Sequence, residues 1–211
     1  MSYEPKLILI RHGEAEHLTT NLTGGWTDSS LTEKGIKQAH NTGKKLQKIL
    51  KGKDIDLFCS DLARARETAE IIGTYLQKEP ISKKGLRELN NGLAANITQE
   101  EAQKIAIPKS DPILDWIPYP EGESWRMLYR RMKSFFNKLY NDKRKILVIV
   151  GHGNALACTI HWWLKISEKQ QDKIYYAIDP CSITILGISE YEERMILKLN
   201  DTCHLNSENI F

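Results

Sequence analysis

The sequence has no apolar run approaching membrane-spanning length. The short run near its start lacks the small-residue cleavage site of a secretory signal. A soluble, cytoplasmic protein with no membrane partner is therefore expected. Cysteine is scarce: Cys59, Cys158, Cys181 and Cys203 are widely scattered and form no CxxC. That spacing predicts reduced, partly buried thiols instead of a disulfide framework. No GxGxxG follows the first strand-like segment, which argues against a dinucleotide crevice. There is no internal repeat and no low-complexity tract. The formal net charge is only +3, too mild for a nucleic-acid-binding stripe but compatible with a local basic pocket for a small anion.

What is present is an ordinary core-forming chain. Its 211 residues are 41% apolar and 27% charged, so one folded domain over residues 1–211 is expected. Leu7 to Ile10 and Ile146 to Val150 are continuous apolar runs, the pattern of strands buried on both faces of a parallel sheet. Asp56 to Cys59, Ile81 to Lys83, Ser182 to Leu186 and Met195 to Leu199 are weaker strand candidates. Helical stripes lie between them. Ile36, Ala39, Gly43, Leu46 and Leu50 form one, capped by Thr32; Leu62, Ala65, Ala69, Ile72 and Leu76 form the next. Leu128, Met132, Phe135 and Leu139 make a third after the cap Ser124, and Leu156, Ile160 and Trp163 a fourth. Alternating strands and helices predict an α/β layered fold with helices on both faces of a sheet. The stretch from Asn90 to Glu123, broken by four prolines, reads as a lid or binding loop.

Ligands of open α/β sheets bind outside the carboxyl ends of the strands. Arg11 and His12 follow the first strand; Arg64 lies just beyond the Cys59 strand; Gly151, His152, Gly153 and Asn154 follow the Val150 strand. Glu88 follows the weak strand near Ile81. Each alone is a weak signal, but their repeated strand-end placement is not. The set suits phosphoryl transfer, in which the protein must mainly position the group and supply positive charge. Guanidinium forks bind phosphate oxygens, a neutral imidazole can attack phosphorus, and a carboxylic acid of raised pKa can protonate the departing oxygen. A zinc site built from His12, His152 and Glu88 is the weaker reading, because two arginines would repel the cation and no i,i+4 histidine pair is present.

The segments LILIRHGE, GGWTDSSLTEKGIKQA, CSDLARARETAEII, LRELNNG and VIVGHGNAL, in that order, resemble the histidine phosphatase superfamily. That family includes the cofactor-dependent phosphoglycerate mutases and many small-molecule phosphatases. The resemblance implies a three-layer α/β/α fold with a central, mostly parallel sheet. It implies that His12 becomes phosphohistidine, that Arg11, Arg64 and His152 hold the phosphoryl oxygens, and that Glu88 is the proton donor and then the base. It also implies a site that works without a metal ion or other cofactor.

The chain departs from the family where Ser or Thr commonly follows RHGE, here Ala15, and where Asn commonly contacts phosphate, here Leu18. Asn21 is a candidate replacement, with Gly25, Trp26 and Asn154 as further substrate-binding candidates. Asn90, Asn91, Trp116, Tyr119 and Arg126 are candidates for the cleft lining. GGWTD resembles the mutase form of its loop. The short segment after Glu88 and the LRELNNG pattern resemble the phosphatases instead. The expectation is a phosphatase of a small phosphorylated metabolite, with a mutase or a non-catalytic phosphate-binding module as alternatives. His17 stands out among the remaining histidines because it sits in the loop after His12. His161, Trp162 and Trp163 read as packing residues, with one tryptophan facing a neighbouring helix or the partner of a possible homodimer.

Overall fold

The computed structural model describes residues 3–140 and 145–205. Its elements in chain order are β1 (Tyr3–Arg11), α1 (Glu16–Thr19), α2 (Glu33–Ile49), β2 (Ile55–Cys59), α3 (Ala63–Leu76) and β3 (Ile81–Ser82). They continue with α4 (Gln99–Lys104), α5 (Trp125–Leu139), β4 (Ile146–Gly151), α6 (Gly153–Trp163), β5 (Ile183–Ser189) and β6 (Arg194–Asp201). The six strands form one sheet in the order β3-β2-β4-β1-β5-β6. Pairings from β3 to β1 are parallel; β5 runs antiparallel to both β1 and β6. Among the described residues no helix is long and apolar enough to cross a membrane.

The two continuous apolar runs behave as buried central strands, and their alternate residues divide between two cores. Leu7 and Leu9 of β1 and Leu147 and Ile149 of β4 pack with α5 and α6. Ile8 and Ile10, with Ile146, Val148 and Val150, pack with α2 and α3 on the other face. Unbroken apolar character is therefore required, since period-two alternation would leave one layer without a partner. Each such side chain contributes roughly 1.5–3 kcal/mol by leaving water.

Most of the expected stripes are buried, Ala39, Gly43 and Leu46 in α2 and Leu128 and Met132 in α5, with one position missed in each helix. Ile36 is 41% exposed, and the buried face of α2 is Gly35, Ala39, Thr42, Gly43 and Leu46. In α5 the fully buried aromatic is Phe136, with Phe135 half-buried beside it. The physical reason in α2 is the close approach of Gly35 to the loop after β1. A methyl group there would lie 2.0 Å from the Glu14 carbonyl oxygen. Helix propensity alone favours Gly→Ala by roughly 0.5–1 kcal/mol. Gly35→Ala nonetheless lowers stability in urea unfolding, by about 1–3 kcal/mol, because backbone must move. A stabilised variant would contradict this packing.

The expected packing role of Trp162 and Trp163 is met inside the chain. Trp162 stacks on Phe136 at 5.1 Å, and Trp163 is fully buried. Cys59, Cys158 and Cys181 are buried and Cys203 exposed, all as free thiols.

The lid segment begins and ends side by side. Asn90 N–H donates to the Glu123 carboxylate at 3.0 Å, and Glu123 N–H donates to the Asn90 carbonyl at 2.8 Å. Between these points the chain carries α4, whose Thr98 and Glu101 form a reciprocal capping box.

Candidate active site

Three neighbouring strands, β2, β4 and β1, end in one row. Cys59 is in register with Val150, and Arg11 with Gly151. The residues just beyond that row form the site. His12 continues β1, its backbone N–H bonded to the Gly151 carbonyl at 2.9 Å. His152 follows β4 as the residue before α6. Arg64 stands in the first turn of α3, just past β2. All three are essentially buried.

The tautomer of His12 is set by its own loop. Nδ1–H donates to the Gly13 carbonyl at 2.7 Å, which leaves Nε2 as the unprotonated nitrogen. Arg64 Nε–H points at that nitrogen from 3.2 Å. Burial, and then the Arg64 and Arg11 charges, hold the His12 pKa well below its ordinary value, so the ring is a neutral base. The Gly13 N–H donates to Thr68 Oγ1 at 3.1 Å. Thr68 lies one helical turn after Arg64, so one face of α3 steadies both the imidazole and its loop.

Arg64 is fixed by two further bonds, Nη1–H to the Thr27 carbonyl and Nη2–H to the Gly25 carbonyl at 2.7 Å. Burial lowers its pKa to about 10, which leaves it cationic at neutral pH. Gly25 has φ +62°, and a Cβ there would overlap the Asn91 side chain. Arg11 donates from Nη1 to the Ile178 carbonyl at 2.7 Å, while its buried Nε has no partner. His152 is more telling still: both ring nitrogens are buried without a partner, 5.1 Å centroid to centroid from His12. Burial, with Arg64 next, pushes its pKa well down. A neutral imidazole and a guanidinium edge that lack partners are donors waiting for an anion.

Glu88, from the segment after β3, is buried as well. Its carboxylate sits at the start of α6, accepting from Leu89 N–H at 2.8 Å, Asn154 N–H at 3.0 Å and Ala155 N–H at 3.2 Å. Burial raises its pKa, and this outweighs the lowering by those backbone bonds and by Arg64 and Arg11. These contacts do not assemble the zinc arrangement of His12, His152 and Glu88: the carboxylate is taken by backbone N–H groups and Arg64 donates into His12.

A cleft of about 270 Å³ opens beside Glu88, lined by Thr23, Gly24, Gly25, Leu89, Asn91 and Tyr119, with Gln99 and Asn154 completing it. Gly25, Asn154, Asn91 and Tyr119 thus border it, as expected from sequence. The other candidates lie elsewhere. Asn21 is exposed, and its carbonyl accepts from Gln99 N–H at the start of α4. Trp26 braces the proton-donor candidate, with its indole N–H on the Glu88 carbonyl at 2.8 Å and the Arg87 guanidinium 4.7 Å above its ring. Trp116 bonds to the Ile107 carbonyl within the lid. Arg126 pairs with Asp115 and Glu168. Asn90 belongs to the lid clasp. Thr27, Thr68 and the Ile178 carbonyl escaped sequence reasoning; only Thr68 left a signal, its i+4 spacing from Arg64.

A model of the histidine phosphatase superfamily (branch 1) matches residues 7–202. The chain belongs to the histidine phosphatase superfamily. It is 31% identical over 176 residues to a 2,3-bisphosphoglycerate-dependent phosphoglycerate mutase of Parvibaculum lavamentivorans, covering 78% of this chain and 82% of that one. Among solved structures, the phosphoserine phosphatase of Entamoeba histolytica in complex with 3-phosphoglyceric acid is 27% identical, with a TM-score of 0.75 over 94% of this chain and 98% of that one. A mycobacterial glucosyl-3-phosphoglycerate phosphatase with VO3 bound has a TM-score of 0.77 at 22% identity, over 94% of this chain and 100% of that one, a likeness of fold. The protein is thus a histidine phosphatase superfamily enzyme, phosphatase or mutase, on the α/β fold expected for it.

Proposed function

We propose that the protein is a phosphomonoester phosphatase that works through a phosphohistidine on His12 and acts on a small phosphorylated metabolite. The observation that carries this reading is the pair of neutral, buried imidazoles, one presenting a lone pair and the other two unpartnered nitrogens, beneath the Arg64 fork. Nε2 of His12 attacks phosphorus, forming a P–N bond as the P–O bond to the leaving group breaks. Arg11, Arg64 and His152 stabilise the charge on the oxygens that do not leave. Glu88 gives its proton to the departing oxygen. It then takes a proton from water, whose oxygen displaces the imidazole and frees inorganic phosphate. In this reading the two guanidiniums supply the positive charge and no metal ion is needed.

Hydrolysis is favoured over mutase chemistry by the cleft. None of its lining residues is cationic. The nearby arginines are committed, Arg87 to Asp61 in a bidentate pair and Arg131 to Glu123 and three backbone carbonyls. A glycerate carboxylate would therefore find no cationic partner among the residues of that cleft. A neutral, polar leaving group of modest size suits a cleft smaller than the roughly 300–1,000 Å³ of drug-sized pockets. The purified enzyme, in excess chelator, is offered sugar phosphates, phosphoserine and the phosphoglycerates. The expected result is phosphate release, fastest from uncharged leaving groups. Positional transfer on phosphoglycerate outrunning phosphate release would establish the mutase instead.

A further inference from the structure

We propose that His17 is a phosphoryl-binding residue, its Nε2–H donating to an oxygen of the phosphoryl group held over His12. This rests on the phosphatase reading above and extends it to a side chain outside the set already described. His17 lies in the single turn of α1, 8% exposed, and its ring centroid is 5.8 Å from that of His12. The ring is thus a direct neighbour of the nucleophile.

Its hydrogen bonding sets which nitrogen carries the proton. Nδ1 is 2.7 Å from Ser29 Oγ. The Ser29 hydroxyl is buried, and among the described residues this is its one hydrogen bond, so donation to Nδ1 is the arrangement that leaves no hydroxyl proton unpaired. A neutral ring that accepts at Nδ1 carries its proton on Nε2. That edge lies against Gly24 in the cleft lining, where an added Cβ would sit 3.8 Å from Nε2. Gly24 precedes the Gly25 carbonyl that Arg64 grips, so the His17 ring edge and the Arg64 guanidinium meet adjoining residues of one loop. The field there is positive: burial, then Arg64 and Arg11, hold the His17 pKa down to about 4. The ring is a neutral donor beside two guanidiniums, a combination suited to an anion.

The neighbouring residue cannot do this. Leu18, where the family commonly carries asparagine, is apolar and 43% exposed. The structure places an N–H donor one residue earlier, on a buried ring. A packing role alone would not account for the serine that fixes this tautomer.

The test uses orthovanadate and inorganic phosphate as probes of the whole enzyme. Long-range ¹H–¹⁵N spectra of wild type should show the His17 Nε2 resonance moving as orthovanadate saturates the site. His17→Ala should weaken orthovanadate binding at least about tenfold, the scale of one hydrogen bond to a charged group. It should raise KM for a phosphomonoester more than it lowers kcat. His17→Gln, which keeps an N–H donor, should recover most of that binding. A folded His17→Ala that binds orthovanadate as wild type does would overturn the proposal. So would an Nε2 resonance that stays still on saturation, a readout that needs no variant. If wild type itself neither binds orthovanadate nor turns over through His12, the phosphatase reading falls as well. Tight wild-type binding with no change on removing the ring sinks only the role of His17.

Discussion

His12→Ala removes turnover while the anion pocket survives. The expected loss in kcat on an aryl phosphate is on the order of 10⁴-fold or more, the scale seen when a covalent nucleophile is deleted. The reason is geometric: in the described structure only His12 has an unprotonated ring nitrogen, set by the Gly13 bond, with a guanidinium N–H aimed at it. Arg64 stays in place because two carbonyls hold its other nitrogens, and Arg11 and His152 are likewise positioned by elements other than the His12 side chain. Phosphate should therefore still bind the variant. Rapid acid-free quenching of wild type with labelled substrate should trap one labelled histidine, and the label should be missing from His12→Ala. Full activity in the alanine variant, or a label on another residue, would refute the covalent mechanism.

The second large effect is at Glu88, and it depends on the leaving group. Glu88→Gln should lower kcat for alkyl phosphates by about 10²–10⁴-fold, the range for losing a general acid. For an aryl phosphate whose phenolate departs unaided, the loss of the first step should be much smaller. The pH dependence follows from the direction of the shift. Burial raises the Glu88 pKa, so the protonated acid persists above the ordinary carboxylate range. As pH rises through that raised value the acid ionises, and wild-type kcat for alkyl esters should fall. In Glu88→Gln that alkaline limb should be gone. Gln is not a perfect mimic: its amide nitrogen would face the Asn154 N–H that now donates to Oε2. The ratio of alkyl to aryl rates is therefore the informative measurement. Equal losses for both leaving groups would remove Glu88 from proton transfer.

Much of this was legible because sheet proteins expose their logic at strand ends. The runs Leu7 to Ile10 and Ile146 to Val150 read as doubly buried strands, and on an open sheet the residues after them could converge on one rim. That placed His12 and His152 together, with Arg64 one turn beyond the next strand. The parts that misled were those that depend on residues without a hydrophobic signature. Gly35 is buried because it has no side chain, so a stripe counted from apolar residues settled on Ile36. Phe135 and Phe136 are equally apolar, and only packing against Trp162 chooses between them. Asn21 looked like a phosphate contact because it is polar and near the nucleophile in sequence, but its backbone turns toward α4. Glu88 was found by its place after a strand. Its anchoring to the start of α6 was not, since that contact joins segments far apart in the chain.

The hydrogen bonds between Asn90 and Glu123 have a consequence for how such an enzyme changes its diet. A loop whose two feet stand together can vary in length without cutting the sheet. Its inner residues nonetheless brace the loop that holds Arg64: Asn91 Oδ1 accepts from the Trp26 backbone N–H, and Asn96 N–H donates to Thr27 Oγ1, beside the Gly25 and Thr27 carbonyls that grip the guanidinium. The cleft takes Asn91, Gln99 and Tyr119 from this segment. Any exchange of the segment must therefore keep its bonds to residues 23–28, or Arg64 loses its footing.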